Sequence, residues 1–166
     1  MPGSWAHLAR RFFWSLHVPP LTSGEIVEVE SILDGTPAGV FFEQSAADQR
    51  HGLDSARFVA SAGASPDLIR AALVHDIGKR HARLGVLGRT IASACQRMGM
   101  PVGGRLGVYL DHPRLGAAEL EALGFGDLVV GYARSHHDGR PTTIPEADWD
   151  LLTAADTVVG PKRVGR

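Results

Sequence analysis

The sequence predicts an all-α fold, and three observations support it. Apolar residues recur at i, i+3, i+4 and i+7 along most of the chain, which is the spacing of one face of a helix. Residues that favour helix starts precede these segments, and glycines or prolines follow them. No segment shows the alternation of apolar and polar residues that a strand or hairpin would carry. With 166 residues, the chain suits a single domain with one core.

Residues 1 to 44 are predicted to form a helical extension that packs on this core. One face of a first helix carries Trp5, Leu8, Phe12 and Leu16. This helix ends before the prolines at positions 19 and 20, because proline cannot continue a helix. A second helix is predicted after an N-cap at Ser23 and is closed by Gly35. The aromatic face of the first helix could also serve a homodimer.

Residues 45 to 160 are predicted to form the main helical domain. Its first helix, the third of the chain, is predicted over Ala46 to Ala62, after an N-cap at Ser45. The next begins after Ser65, has Pro66 at its first position and ends just before Gly78.

Three more segments of the domain have helical patterns, and a fourth helix is predicted to begin next to His112. The segments 87 to 99, 126 to 137 and 145 to 159 have helical patterns. Another helix can start at Pro113 and run to Gly124, which leaves His112 at or beside its N-cap. Residues 161 to 166 are expected to be a flexible tail.

Composition and charge exclude several classes of protein. No apolar run is long enough to span a bilayer, and the N-terminus lacks the pattern of a secretory signal, so a cytoplasmic protein without membrane contact is expected. The net charge of −1 argues against a broad surface for long nucleic acid. The single cysteine, Cys95, reads as a small buried side chain and cannot provide a thiolate zinc site.

The distribution of basic residues points to a different kind of ligand. Seven basic residues lie between Lys79 and Arg114, against one acidic residue, Asp111. A solvated helix face explains most of them. Lys79, Arg80 and Arg114, however, lie close in sequence to the candidate site residues, so they are candidates for binding an anionic substrate.

Several ionisable residues lie on apolar helix stripes. His75 shares a face with Leu68 and Ala72, and Asp76 follows directly on a neighbouring apolar face. A lone histidine in such a place is usually a core residue with a hydrogen-bond partner. A buried carboxylate, in contrast, is costly unless it is paired or binds a metal.

The same spacing places further ionisable residues on inward faces of other helices. They are His51, His136 and Asp156. No basic residue lies on these stripes, so a shared metal centre explains the set best. Imidazole and carboxylate ligands suit iron, manganese, zinc, cobalt or nickel. Two such ions bridged by one carboxylate would lower the pKa of a bridging water and stabilise an in-line displacement at phosphorus.

The order of these residues resembles the HD superfamily of metal-dependent phosphohydrolases. The resemblance covers about residues 45 to 159 and rests on His51 in "DQRHGLDSA", His75 and Asp76 in "LVHDIGK", His112 in "LDHPRLGAAEL", His136 and His137 in "ARSHHDG", and Asp156 in "TAADTV". The His-Asp pair by itself would be a weak signal, but an ordered set with a helix around each member is specific. Residues 1 to 44 lie outside the resemblance.

The resemblance implies a five-helix core and a set of roles around two divalent ions. The first ion would be held by His51, His75, Asp76 and Asp156. The second ion would be held by Asp76, His112 and His136, with His137 as a ligand or a substrate contact. Asp76 would thus be the bridging catalytic carboxylate, and Lys79 would face a substrate phosphate. Iron or manganese would be the ions, with zinc, cobalt or nickel as alternatives.

The resemblance leaves several substrates and functions open. "HDIGK" and "HHDG" are similar to the HD-GYP phosphodiesterases of cyclic-di-GMP, but "HHDGRPTTIP" stands where the Gly-Tyr-Pro signature belongs. The chain is also similar to bacterial diadenosine tetraphosphate hydrolases and to HD domains that cleave cyclic-di-AMP. A small nucleotide or dinucleotide is therefore the expected substrate. The alternatives are a di-iron oxygenase of the same fold, an HD-type nuclease and a nucleotide sensor without turnover.

Overall fold

The computed structural model describes residues 18 to 158, and all of their regular structure is helical, which confirms the predicted all-α class. In chain order the elements are α1 Ser23–Ile32, α2 Thr36–Phe42, α3 Ala46–Ser61, α4 Pro66–Val74, a 3-10 helix Ile77–Ala82, α5 Val86–Arg97, α6 Gly104–Leu110, α7 His112–Ala122, α8 Asp127–Ser135 and α9 Glu146–Val158. The predicted first helix, the homodimer surface assigned to it and the tail lie outside the described residues. No helix within residues 18 to 158 is long and apolar enough to cross a membrane.

Side-chain caps begin the helices that the sequence delimits best. The Ser45 side chain accepts a hydrogen bond from the backbone of Asp48 at 3.3 Å, and Ser65 caps α4 in the same way. The predicted cap of α1 at Ser23 is wrong by one residue, because Thr22 is the cap. Glu25 forms a capping box with it, and the Glu25 carboxylate accepts the Thr22 backbone N–H at 2.9 Å.

The chain around Gly78 differs from the prediction. The α4 helix ends at Val74, four residues before Gly78, and the backbone then tightens into the 3-10 helix that contains this glycine. Gly78 is buried against α7, where a Cβ atom would lie 2.1 Å from the carbonyl oxygen of His112. It is therefore a close-packing position and not a helix stop, and the sequence pattern also missed the seven-residue helices α2 and α6.

A single hydrophobic cluster joins the helices on both sides of the chain's midpoint. It contains Phe41 and Val29 of the first two helices together with Leu53 of α3 and Leu73 of α4. The α4 helix packs against α3, α8 and α9, while α7 packs against the 3-10 helix and α8. The helix ends that carry the candidate site residues therefore meet on one side of this core.

Candidate metal centre

The structure brings the predicted ligands together from five parts of the chain. His51 comes from α3, Asp156 from α9, and His112 is the first residue of α7. His75 and His136 are the C-caps of α4 and α8. Asp76 follows His75 directly and caps the 3-10 helix. Most of the ligands thus lie at helix ends, where a polar side chain can point away from the apolar face of the helix.

The two carboxylate oxygens of Asp76 face different histidines. Oδ1 lies 3.3 Å from Nε2 of His112 and 3.5 Å from Nε2 of His136. Oδ2 lies 3.5 Å from Nε2 of His75 and also forms an ion pair with the ammonium group of Lys79. Only 4% of Asp76 is exposed, so the carboxylate is held inside the protein between two groups of imidazoles.

Asp156 completes the first of these groups. Its Oδ1 atom lies 3.0 Å from Nε2 of His51 and 3.5 Å from Nε2 of His75. His75 therefore lies between the two carboxylates, with its Nε2 atom 3.5 Å from each of them. This is the arrangement expected of ligands that surround one position.

Three of the histidines are held through their other ring nitrogen. Nδ1 of His75, His112 and His136 donates to a backbone carbonyl three residues earlier in each case. The acceptors are Ala72 at 2.9 Å, Tyr109 at 2.7 Å and Ala133 at 2.9 Å. Such carbonyls at the end of a helix lack an intrahelical partner, so the imidazole satisfies them. The bond fixes the proton on Nδ1 and leaves the Nε2 lone pair available to a cation.

These Nε2 atoms and one carboxylate oxygen are buried without a hydrogen-bond partner. Within residues 18 to 158 they are Nε2 of His75, His112 and His136, and Oδ1 of Asp76. Each is an acceptor when the proton is on Nδ1, and a buried acceptor without a donor costs about 1 to 3 kcal/mol. Ligand bonds of about 2.0 to 2.2 Å place neighbouring donor atoms roughly 3.0 to 3.5 Å apart, which agrees with the Asp76 contacts. The donor set therefore fits a metal ion.

Two groups of residues could each hold an ion. One comprises His51, His75 and Asp76, and the other comprises His112, His136 and His137, with the ligand atoms of each group within 4.8 Å of one another. His137 thus lies in the second group, although it is exposed at the edge of the cluster. Partial desolvation and the neighbouring His136 lower the pKa of His137, so its ring is neutral near pH 7 and can act as a ligand.

Electrostatics keep the two carboxylates in their metal-binding forms. Burial opposes ionisation of both carboxylates, but Lys79 and the neighbouring imidazoles hold the pKa of Asp76 well below its ordinary value. His51 and His75 do the same for the pKa of Asp156. Burial likewise opposes charging of His75, yet the two carboxylates outweigh it and raise its pKa to about 9. Burial lowers the pKa of His112 and keeps that ring neutral. The two carboxylates therefore give the cluster negative charge. Lys79 offsets part of it, as does the proton on His75, which a cation could replace.

Lys79 corrects the interpretation that no basic residue lies on the stripes of the site carboxylates. It is 5% exposed, and its ammonium pairs with Asp76. Lys79 follows Asp76 by three residues, a spacing that brings two side chains together in an α-helix as well as in the 3-10 helix found here. Its charge is therefore next to the cluster, where it pairs with the Asp76 carboxylate.

The other predicted substrate-binding residues are engaged with acidic partners. Arg80 pairs with Glu119 and, at 3.0 Å, with Glu43. Arg114 is exposed and pairs with Asp111. Arg80 is thus neutralised by acidic residues from other parts of the chain, which sequence order alone does not reveal, whereas Arg114 pairs within its own segment.

Tyr132 is a site residue that the sequence pattern did not single out. Its ring is 1% exposed, and its centroid lies 5.8 Å from the centroid of His75 and 5.9 Å from that of His136. On the α8 stripe it appears only as an apolar neighbour of His136. The available signal was its position one helical turn before that histidine, since side chains at i and i+4 meet.

Comparison of the chain with protein families, with curated proteins and with solved structures finds no match in any of the three. The geometry of the cluster is therefore the basis for the function proposed below.

Proposed function

We propose that the chain is a metal-dependent phosphohydrolase that cleaves a phosphoester or phosphoanhydride bond of a small nucleotide or dinucleotide. The observation that carries the proposal is the position of Asp76, whose two oxygens face two separate groups of imidazoles. A carboxylate in this position suits a bridge between two cations. Iron or manganese would suit the mixed imidazole and carboxylate donors, as would zinc, cobalt or nickel.

The ligand sets follow from the contacts. His51, His75, Asp76 and Asp156 would hold the first ion. The second ion would be held by Asp76, His112, His136 and His137. Two divalent ions in these positions would supply Lewis-acid stabilisation of a phosphoryl group and an acidic water. The protein orients three of the imidazoles through their Nδ1 bonds and buries Asp76, His75 and His112.

Charge favours an anionic substrate once cations are present. The cluster contributes two carboxylates, and Lys79 offsets one of them. Two divalent ions would therefore leave a site of net positive charge, which attracts a phosphate group. Lys79 would add a fixed positive charge beside the bridging carboxylate, where it can stabilise negative charge that develops on a phosphoryl group.

A comparison of two aspartate variants tests the proposal. Wild-type protein loaded with each candidate metal is assayed against cyclic dinucleotides, dinucleoside polyphosphates and mononucleotides. Asp76→Ala should lower the hydrolysis rate by about 1,000-fold, since metal stabilisation is worth several kcal/mol. Asp67→Ala is the matched control, because Asp67 lies on the preceding helix with its side chain 66% exposed and should leave the rate unchanged.

Three results would contradict the proposal. Hydrolysis that is unaffected by Asp76→Ala would remove the bridging carboxylate from the reaction. Substrate-dependent oxygen uptake by iron-loaded protein, without release of phosphate, would instead indicate the di-iron oxygenase class. Tight nucleotide binding without any product would indicate a sensor.

A further inference from the structure

The segment just before His112 lies outside the hydrophobic core. Among residues 18 to 158, the hydrophobic cluster includes no residue of α5 or α6. These two helices pack chiefly against each other, and α6 also packs against the 3-10 helix. His112 follows α6 after a single residue, so its position depends in part on how α6 is held.

Arg89 connects this segment to α3. Its guanidinium group pairs with the Asp48 carboxylate on α3 and donates from Nε to the backbone carbonyl of Leu84 at 3.0 Å. Only 17% of the Arg89 side chain and 10% of the Asp48 side chain are exposed, so dissolved salt screens the pair little. Asp48 lies three residues before His51 on the same helix. The pair thus fixes α5 to the helix that provides a ligand of the first ion.

The same guanidinium group contacts the residue that orients His112. Its carbon atom lies 5.9 Å from the centroid of the Tyr109 ring, within the range of a cation–π contact. The centroid of the Tyr109 ring lies 5.7 Å from that of the His112 ring. The backbone carbonyl of Tyr109 also accepts the 2.7 Å hydrogen bond from Nδ1 of His112. Arg89 and His112 are therefore connected through one intervening residue.

We propose that Arg89 is a positioning residue: acting through Tyr109, it holds His112 in place for the second of the two ions. The proposal rests on the two-ion centre of the proposed function. Partners outside the ligand set affect metal binding because they fix the orientation of the ligands. The first ion depends less on Arg89, because most of its ligands lie on or next to α3, α4 and α9, which contribute to the hydrophobic cluster. Loss of Arg89 should therefore weaken binding of the second ion and spare the first.

Titration of metal-free protein with cobalt(II) tests this proposal, because the visible absorption of cobalt(II) reports the ligands of each bound ion. The signal of the second ion is the one that His112→Ala abolishes. In Arg89→Met the second ion should bind roughly tenfold more weakly than in wild type, and the first ion with unchanged affinity. Arg70→Met is the matched control. Arg70 likewise pairs with an aspartate, Asp67, at 3.0 Å and donates Nε to a backbone carbonyl at 3.3 Å, and its replacement should leave both affinities at the wild-type values.

A double variant distinguishes positioning from a general loss of stability. Tyr109→Leu removes the ring that contacts both Arg89 and His112, and it leaves the pair with Asp48 intact. It should also weaken the second ion roughly tenfold. The double variant Arg89→Met, Tyr109→Leu should be weakened by about the same factor, because residues that act through one shared contact are not additive, whereas independent effects would multiply to about a hundredfold. Tyr109→Leu also supplies the test if Arg89→Met does not fold.

The outcomes separate this proposal from the proposed function. Four results would each overturn the positioning role: unchanged second-ion affinity in Arg89→Met, equal weakening of both ions, additive effects in the double variant, or binding of a single ion by wild type. Phosphoester hydrolysis together with any of these results would leave the function standing. Selective loss of the second ion from Arg89→Met, with no hydrolysis of any substrate by wild type, would support the positioning role and remove the function.

Discussion

Replacing Gly78 by alanine should destabilise the protein by forcing the 3-10 helix away from α7. The added Cβ atom would lie 2.1 Å from the His112 carbonyl oxygen, 2.7 Å from the Gly116 nitrogen and 3.0 Å from the Gly116 Cα. All three are backbone atoms, so no side chain can rotate to make room. Gly78 itself does not have a positive φ angle, so the effect is one of space and not of backbone conformation.

The size of the effect follows from the overlap. A carbon to oxygen contact is normally about 3.3 Å or more, so the two segments would have to separate by roughly 1.2 Å. Overpacking of a tightly packed region typically costs about 1 to 3 kcal/mol. The backbone contact places this case at the upper end, while the reduced freedom of the unfolded chain offsets about 0.5 kcal/mol. We expect a loss of about 2 to 3 kcal/mol in the free energy of unfolding.

Denaturant unfolding of Gly78→Ala and Gly39→Ala measures this loss against a control. Gly39 lies in α2 with nothing within 4 Å of a built Cβ atom, so alanine there should stabilise the helix by up to about 1 kcal/mol. Equal unfolding free energies for Gly78→Ala and wild type would refute the close-packing argument. Since the clash involves the residue that begins α7, the variant should also take up less metal.

Two further predictions concern charge and ligand number. Glu25 has its pKa lowered from 4.5 to about 2, chiefly by a hydrogen bond from Arg50, so the ionised carboxylate stabilises the fold above pH 4.5 and loses this effect as the pH falls toward 2. In urea unfolding, Glu25→Gln should be less stable than wild type at pH 6, and the difference should shrink toward pH 2; a constant difference would contradict the assignment. On the proposed two-ion centre, His112→Ala should lower the bound metal from two equivalents to one by elemental analysis, and retention of both would argue against its place in the second group.

The helical pattern predicted the site residues better than it predicted the local structure around them. His75 and Asp76 could be identified because two polar residues on apolar stripes are costly, and the structure finds both almost fully buried. His51 and Asp156 followed from the same argument and lie 3.0 Å apart. Periodicity was sufficient here because each residue sits on or at the end of a helix long enough to show it.

The pattern failed where local geometry departs from an ideal α-helix. Seven residues form too short a helix for periodicity to reveal, so α2 and α6 were missed. The change to a 3-10 helix after Asp76 alters the direction of each following side chain. It placed Gly78 against α7, which does not follow from a period of 3.6 residues. The contact of Lys79 with Asp76, in contrast, has the i, i+3 spacing and was available from the sequence.

The amino-acid sequence by itself determined the all-α class, the helix starts at Ser45 and Ser65, and the inward position of the ionisable residues. Only the tertiary structure decided which oxygen of Asp76 faces which histidine, that Arg80 pairs with Glu119 and Glu43, and that Tyr132 touches both groups. Helix formation depends on neighbours within about one turn, which the sequence contains. Contacts between helices depend on how whole helix faces pack against one another. This packing joins residues that are far apart in the sequence, so the pattern within one segment does not reveal it.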